Sequence, residues 1–141
     1  MDLDGALEIL GNMQQVNLAT IDGDQPRVRM VTLIPYGDRF WITSRKSGEK
    51  IDQIRANNRV EINLTVGENI EGDKDFGTVR ATGRLEIVDD PTIKKELAEQ
   101  IPFINTIFDS VDDPEYTLMK LDLSRIKVLF PYREEMATFD L

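Results

Sequence analysis

Apolar and polar residues alternate through much of the chain, and the alternation stops where turn formers or helix caps stand. It is cleanest at 59–66, where Val60, Ile62, Leu64 and Val66 share one side and Arg59, Glu61, Asn63 and Thr65 the other. This period of two is the signature of a half-buried strand. A longer run turns Val79, Ala81, Leu85 and Ile87 one way and Arg80, Thr82, Arg84 and Glu86 the other. Gly83 in its middle predicts a bend or a close approach of backbone. Residues 16–21 are β-rich, Asp22-Gly23-Asp24 signals a tight turn, and a second run follows at 28–34, so the pair predicts a hairpin. Pro35-Tyr36-Gly37-Asp38 makes the next turn, before a third strand at Phe40, Trp41 and Ile42. The last strand begins at Thr117 with Met119, Leu121 and Leu123 on one face, then changes phase to Ile126, Val128 and Phe130. That change predicts a bulge near Ser124-Arg125.

Three stretches follow the helical period instead. Leu3, Ala6, Leu7 and Leu10 lie on one helix face, and Gly11-Asn12 supplies a stop. Ser47 is placed to cap a helix with Glu49 in its first turn, an inward stripe of Ile51, Ile54 and Ala56, and an end at Asn57-Asn58. Asp90-Pro91 is a cap followed by a first helical residue; Ile93, Leu97 and Ile101 continue at spacing four until Pro102, and 103–108 adds a further turn or two. Residues 67–75 and 110–115 are acidic loops. With about six strands, three of them joined by tight turns, the pattern predicts a mainly β, α+β fold: a small antiparallel barrel flanked by helices, with an open α+β sheet as the alternative.

Composition narrows the chemistry. At 141 residues the chain is expected to form one domain, 1–141. A net charge of −9 argues against nucleic acid as a partner, because a phosphate backbone rewards clustered Lys and Arg. There is no cysteine and no histidine, so thiolate nucleophiles, imidazole bases and the usual transition-metal ligands are absent, and redox chemistry must come from a cofactor. The start, MDLDGALEIL, lacks the basic flank and apolar run of a signal peptide, and no segment approaches the roughly 20 apolar residues of a membrane span. A cytoplasmic protein without a membrane partner is expected.

Two clusters carry candidate chemistry. In WITSRKSGEKIDQIRANN (41–58) an apolar strand end runs into a hydroxyl-rich, basic turn that opens a helix, and unpaired amides at a helix start favour an anion. In the second strand Arg27 and Arg29 share a face with Val31 and Leu33. Two readings stay open there: arginines snorkelling at a rim, or anion ligands.

The order of these segments resembles the pyridoxamine 5′-phosphate oxidase-like family of FMN-binding split β-barrels, and within it the short general-stress-protein-like members. The resemblance covers 7–128 and rests on LATIDGDQPRVRMVTL (18–33), FWITSRKSGEK (40–50), IDQIRANNRVEINL (51–64), VRATGRLEIVDD (79–90) and YTLMKLDLSRIKVL (116–129). It implies a six-stranded antiparallel split β-barrel with flanking helices and a homodimer with FMN at the subunit interface. It further implies flavin contacts from Arg29, Met30, Val31 and Thr32, phosphate contacts from Thr43, Ser44, Ser47 and Lys50, a backbone contribution from Ile42, and a role for Gln53. The partner subunit is expected to add residues from around Arg80 to Arg84 or from the last strand.

Departures from the family pattern limit what carries over. Ile34 stands where the true oxidases continue to a lysine, and Gly48-Glu49-Lys50 where they have adjacent Arg and Lys; the closing LFPYREEMATFDL lacks their Trp- and His-containing substrate motif. Oxidation of vitamin B6 is therefore not expected. The reading is an FMN-dependent oxidoreductase acting on an unknown small molecule. The alternatives are a non-catalytic flavin-binding or storage protein and a deazaflavin-dependent reductase. Tyr36, Tyr116 and Tyr132 are acid or base candidates by type alone, and Trp41 reads as core more readily than as a flavin neighbour.

Overall fold

The computed structural model describes residues 1–68 and 71–141. In chain order the elements are α1 (Leu3–Leu10), β1 (Gln14–Asp22), β2 (Gln25–Tyr36), β3 (Arg39–Arg45), α2 (Glu49–Ala56), β4 (Arg59–Val66), β5 (Gly77–Val88), α3 (Pro91–Gln100), α4 (Pro102–Ile107), β6 (Tyr116–Phe130) and β7 (Glu135–Asp140). The strands are antiparallel neighbours in the order β3-β2-β1-β4-β5-β6-β7, and a further β3–β6 pairing closes the ring. This is the expected split barrel with one more strand, β7. A 3₁₀ turn at Pro131–Arg133 and a left-handed Glu134 reverse the chain so that β7 pairs with the end of β6. Its pattern is short and places only Ala137 and Phe139 against the core.

Local chemistry explains the joints. Gly37 and Asp38 both have positive φ (61° and 60°), as a two-residue primed turn requires, and link β2 to β3. Asp90 accepts from the Thr92 and Ile93 amides at the start of α3, with Pro91 as the first helical residue. The bulge falls where the phase change placed it. Thr82 pairs with Arg125 and Gly83 with Leu123, which leaves Ser124 as the extra residue. Gly83 lies so close to the Asp122 carbonyl that a Cβ would collide with it.

Three local expectations are corrected. β3 runs on to Arg45, because Thr43, Ser44 and Arg45 pair with Leu118, Thr117 and Tyr116 of β6; the hydroxyl-rich turn is therefore partly strand. The cap of α2 is Gly48 rather than Ser47. The buried side of α2 is Ile51, Gln53 and Ile54, while Ala56 is exposed. Of the acidic loop at 67–75, residues 69 and 70 lie outside the described residues.

Two apolar clusters form. One fills the barrel, with Leu18, Leu33, Ile42, Ile62, Val79 and Val128 among its members and α1 and α2 packed on it. The other lies between α3–α4 and the outer side of β3 and β6, around Trp41, Leu97, Ile104, Tyr116 and Leu118. Among the described residues no helix is long and apolar enough to cross a membrane.

Candidate functional site

The barrel is split where β3 leaves β2. Only Ile34, Pro35 and Tyr36 of β2 pair with β3, after which β3 crosses to β6. From Gln25 to Leu33, β2 has β1 as its single strand partner among the described residues, so one edge of its backbone is free of the sheet. Helix α2 lies against β1 beside this opening.

Alternation along β2 sorts the candidate residues. Arg29, Val31 and Leu33 face the barrel, whereas Val28 and Met30 face out and are 69% and 66% exposed. Arg29 reaches across to β1 and α2. Its Nη1 donates to Thr20 Oγ1 at 2.6 Å and to the Leu18 carbonyl at 3.4 Å, and its Nη2 donates to Gln53 Oε1 at 2.7 Å. Thr20 Oγ1 in turn donates to the same Gln53 oxygen at 2.5 Å. Thr20 and Gln53 are both buried, so this trio is a polar insertion into an otherwise apolar interior. Arg27, two residues earlier, instead pairs with Asp22 at 3.2 Å on the exposed rim. The two arginines thus differ: Arg27 stays on the rim, and Arg29 turns inward.

Lys50 stands in the first turn of α2, half-buried, and makes no ion pair or hydrogen bond among the described residues. Burial lowers its pKa from the ordinary 10.5, and the charge of Arg29 lowers it further. Burial also lowers that of Arg29, against the attraction of Glu49 and with the repulsion of Arg27. Two partly desolvated cations, the lysine disfavoured further by the arginine and neither hydrogen-bonded to a carboxylate, form a site that favours an added anion. The start of α2 adds to it, since Gly48 leaves the opening amides without a side-chain cap. A cleft of about 410 Å³ beside Gln53 is lined also by Asp22, Arg27, Glu49 and Asp52, so it is mainly acidic, and neither Arg29 nor Lys50 lines it.

The remaining candidates separate. Val31 and Ile42 are buried in the barrel core, so only their backbone is available to a ligand. Thr32 accepts from Gln15 Nε2 at 2.9 Å. The Thr43 hydroxyl makes no hydrogen bond among the described residues, while the buried Ser44 hydroxyl donates to the Arg45 carbonyl at 3.0 Å. Ser47 is tied elsewhere: its amide and hydroxyl both donate to Glu115 Oε2, at 3.0 and 2.8 Å, and the Lys46 amide donates to the Glu115 carbonyl. The two Ser47 bonds hold the Glu115 carboxyl below its ordinary range. Sequence reasoning missed Thr20, which looks like any β-residue of a strand; the one available signal was a hydroxyl on the apolar face defined by Val16 and Leu18.

Trp41 is core, buried under α3–α4 with Nε1 donating to the Tyr36 carbonyl at 3.0 Å. The Tyr36 hydroxyl donates to Glu96, and the buried Tyr116 hydroxyl donates to the Lys94 carbonyl.

An antiparallel ring of strands that opens where its third strand departs defines the chain as a split β-barrel protein. The chain belongs to the pyridoxamine 5′-phosphate oxidase family, whose sequence pattern it matches over residues 4–130. Among solved structures it is similar to a NimC/NimA family protein from Clostridium acetobutylicum, with 28% identity, 99% of this chain and 92% of that one covered, and a TM-score of 0.78. It is also similar to a putative pyridoxamine 5′-phosphate oxidase from Listeria innocua, with 25% identity, coverage of 89% and 96%, and a TM-score of 0.71. General stress protein 26 from Bacillus anthracis shares the fold at 17% identity, with coverage of 99% and 100% and a TM-score of 0.75. Among curated proteins none matches the chain.

Proposed function

We infer that the protein binds FMN at the split, with Arg29 and Lys50 holding the phosphate, and that it is a flavin-dependent oxidoreductase acting on a small molecule. The observation that carries this reading is the cation pair itself: two desolvated charges, half-buried, with no carboxylate bonded to either. A phosphate dianion satisfies them with charge-assisted hydrogen bonds. Flavin, when bound, supplies the hydride or electron transfer that a chain without cysteine or histidine cannot. The chain's own contribution is to bind and orient: the opening amides of α2 flank Lys50 in sequence, Thr43 lies near the end of the strand that leads to them with its hydroxyl unbonded among the described residues, and the free backbone edge of β2 offers N–H and C=O groups to a ring system.

The reading includes a second copy of the chain. Val28 and Met30 expose an apolar face beside the split, and a homodimer with the flavin between subunits covers that face. A non-catalytic flavin-binding role has one observation in its favour: two of the three tyrosine hydroxyls are engaged, Tyr36 on Glu96 and Tyr116 on the Lys94 carbonyl, and so are not offered to a substrate.

The test is direct. Purified protein is expected to carry, or to take up when FMN is added, a visible flavin spectrum that denaturation releases, and to sediment as a dimer. Colourless protein that ignores added FMN contradicts the reading, and turnover of a nicotinamide donor with an artificial acceptor separates enzyme from binder.

A further inference from the structure

The geometry points to Thr20 as a positioning residue for the anion site: with Gln53 it sets the guanidinium of Arg29 so that one bidentate edge is left for the ligand phosphate. The inference rests on the FMN reading above and deepens it.

Arginine has five N–H donors in a rigid fork. Both Nη1 protons of Arg29 are accounted for by Thr20 Oγ1 and the Leu18 carbonyl, and one Nη2 proton by Gln53 Oε1. Among the described residues Nε has no acceptor. Nε–H and the second Nη2–H lie along one edge, which is the pair that grips two oxygens of a phosphate or carboxylate. Holding the other edges therefore selects the face presented to an anion.

Thr20 is suited to that task by its place in the sheet. It faces the barrel interior two residues along β1 from Leu18, the register partner of Arg29, and so is a diagonal neighbour of the arginine. It is 1% exposed. A hydroxyl in an apolar core costs stability unless it is hydrogen-bonded, and a valine of nearly the same shape would avoid that cost. Here the hydroxyl accepts from Arg29 and donates to Gln53, closing a three-membered ring of bonds across β1, β2 and α2. Because the amide oxygen of Gln53 accepts from both partners, neither Thr20 nor Gln53 can be replaced by an apolar residue without freeing the guanidinium to rotate.

The experiment compares FMN with riboflavin, which lacks the phosphate, using flavin fluorescence quenching on the full chain together with thermal melting. Thr20→Val is expected to weaken FMN by about tenfold while leaving riboflavin affinity unchanged, and Thr20→Ser to keep wild-type FMN affinity. Gln53→Met is expected to give the same selective loss, which keeps the test available if Thr20→Val does not fold. A Thr20→Val or Gln53→Met protein with the wild-type FMN-to-riboflavin ratio overturns the inference, as does a parallel loss of both ligands, which marks Thr20 as structural only. If the wild-type protein itself shows no preference for FMN over riboflavin, the phosphate reading fails first and the inference with it.

Discussion

Under α3 and α4, Trp41 and Tyr116 are buried with each polar atom closed off by a backbone carbonyl, and Phe108 stacks on Tyr116 with ring centroids 4.8 Å apart. At the split, Arg29 and Lys50 are also drawn out of water, yet the lysine has no bonded partner and the arginine keeps an unused edge among the described residues. Both regions bury polar chemistry against an apolar cluster. The difference is whether the donors are spent. Spent donors fix a fold, because an aromatic with a satisfied handle contributes its apolar area at little polar cost. Desolvated cations whose donors are unspent cost folding free energy, and a bound anion would offset that cost.

The sharpest way to break the comparison is to damage the flank. Leu97→Ala, at a fully buried position, is expected to cost about 2–5 kcal/mol of stability while leaving the ratio of FMN to riboflavin affinity unchanged. Denaturant melts and flavin titrations read the two quantities separately.

Lys50→Ala should do the reverse. Loss of a charged hydrogen bond is expected to cost about 1.5–3 kcal/mol of FMN affinity, whereas the ligand-free protein should melt no lower than wild type because a desolvated cation beside Arg29 has been removed. The same group sets a pH dependence. Since its pKa is lowered, Lys50 loses its proton below the ordinary 10.5, so FMN affinity should fall with rising pH earlier than for a solvent-exposed lysine, while riboflavin affinity does not follow it.

A smaller effect is expected at Tyr116. Burial raises its pKa from 10.0 to about 12, so the folded state holds the neutral phenol. That contribution is complete below pH 10 and is lost as pH rises toward about 12, where the unfolded chain ionises first. Tyr116→Phe should remove this alkaline loss, seen as a smaller fall in denaturation midpoint over that range than wild type shows. Smallest of all is Arg27→Ala. Its ion pair with Asp22 is half-exposed, and its removal should change stability by no more than about 0.5 kcal/mol.

Much of the barrel was legible because alternation, caps and turn residues act over a few residues: the faces of β4 and β5, the Asp90-Pro91 start of α3 and the bulge at Ser124 all stand where the pattern put them. β7 was missed because EMATFD is short and carries only two residues that pack on the core. At the site, the sequence singled out Arg29 and Lys50 but not what distinguishes Arg29 from Arg27, since that is decided by Gln53 and Thr20, far apart in the chain. Ser47 was misjudged as the helix cap for the same reason: its amide and hydroxyl are taken by Glu115, 68 residues away, a pairing set by β3 crossing to β6.

The central claim is that the cation pair at the split is a phosphate site, and equilibrium titration of the wild-type protein with FMN and with riboflavin tests it most directly. The account predicts that FMN binds more tightly by at least about tenfold and that added salt narrows the gap. Equal affinity for the two, or no binding of FMN, would contradict it.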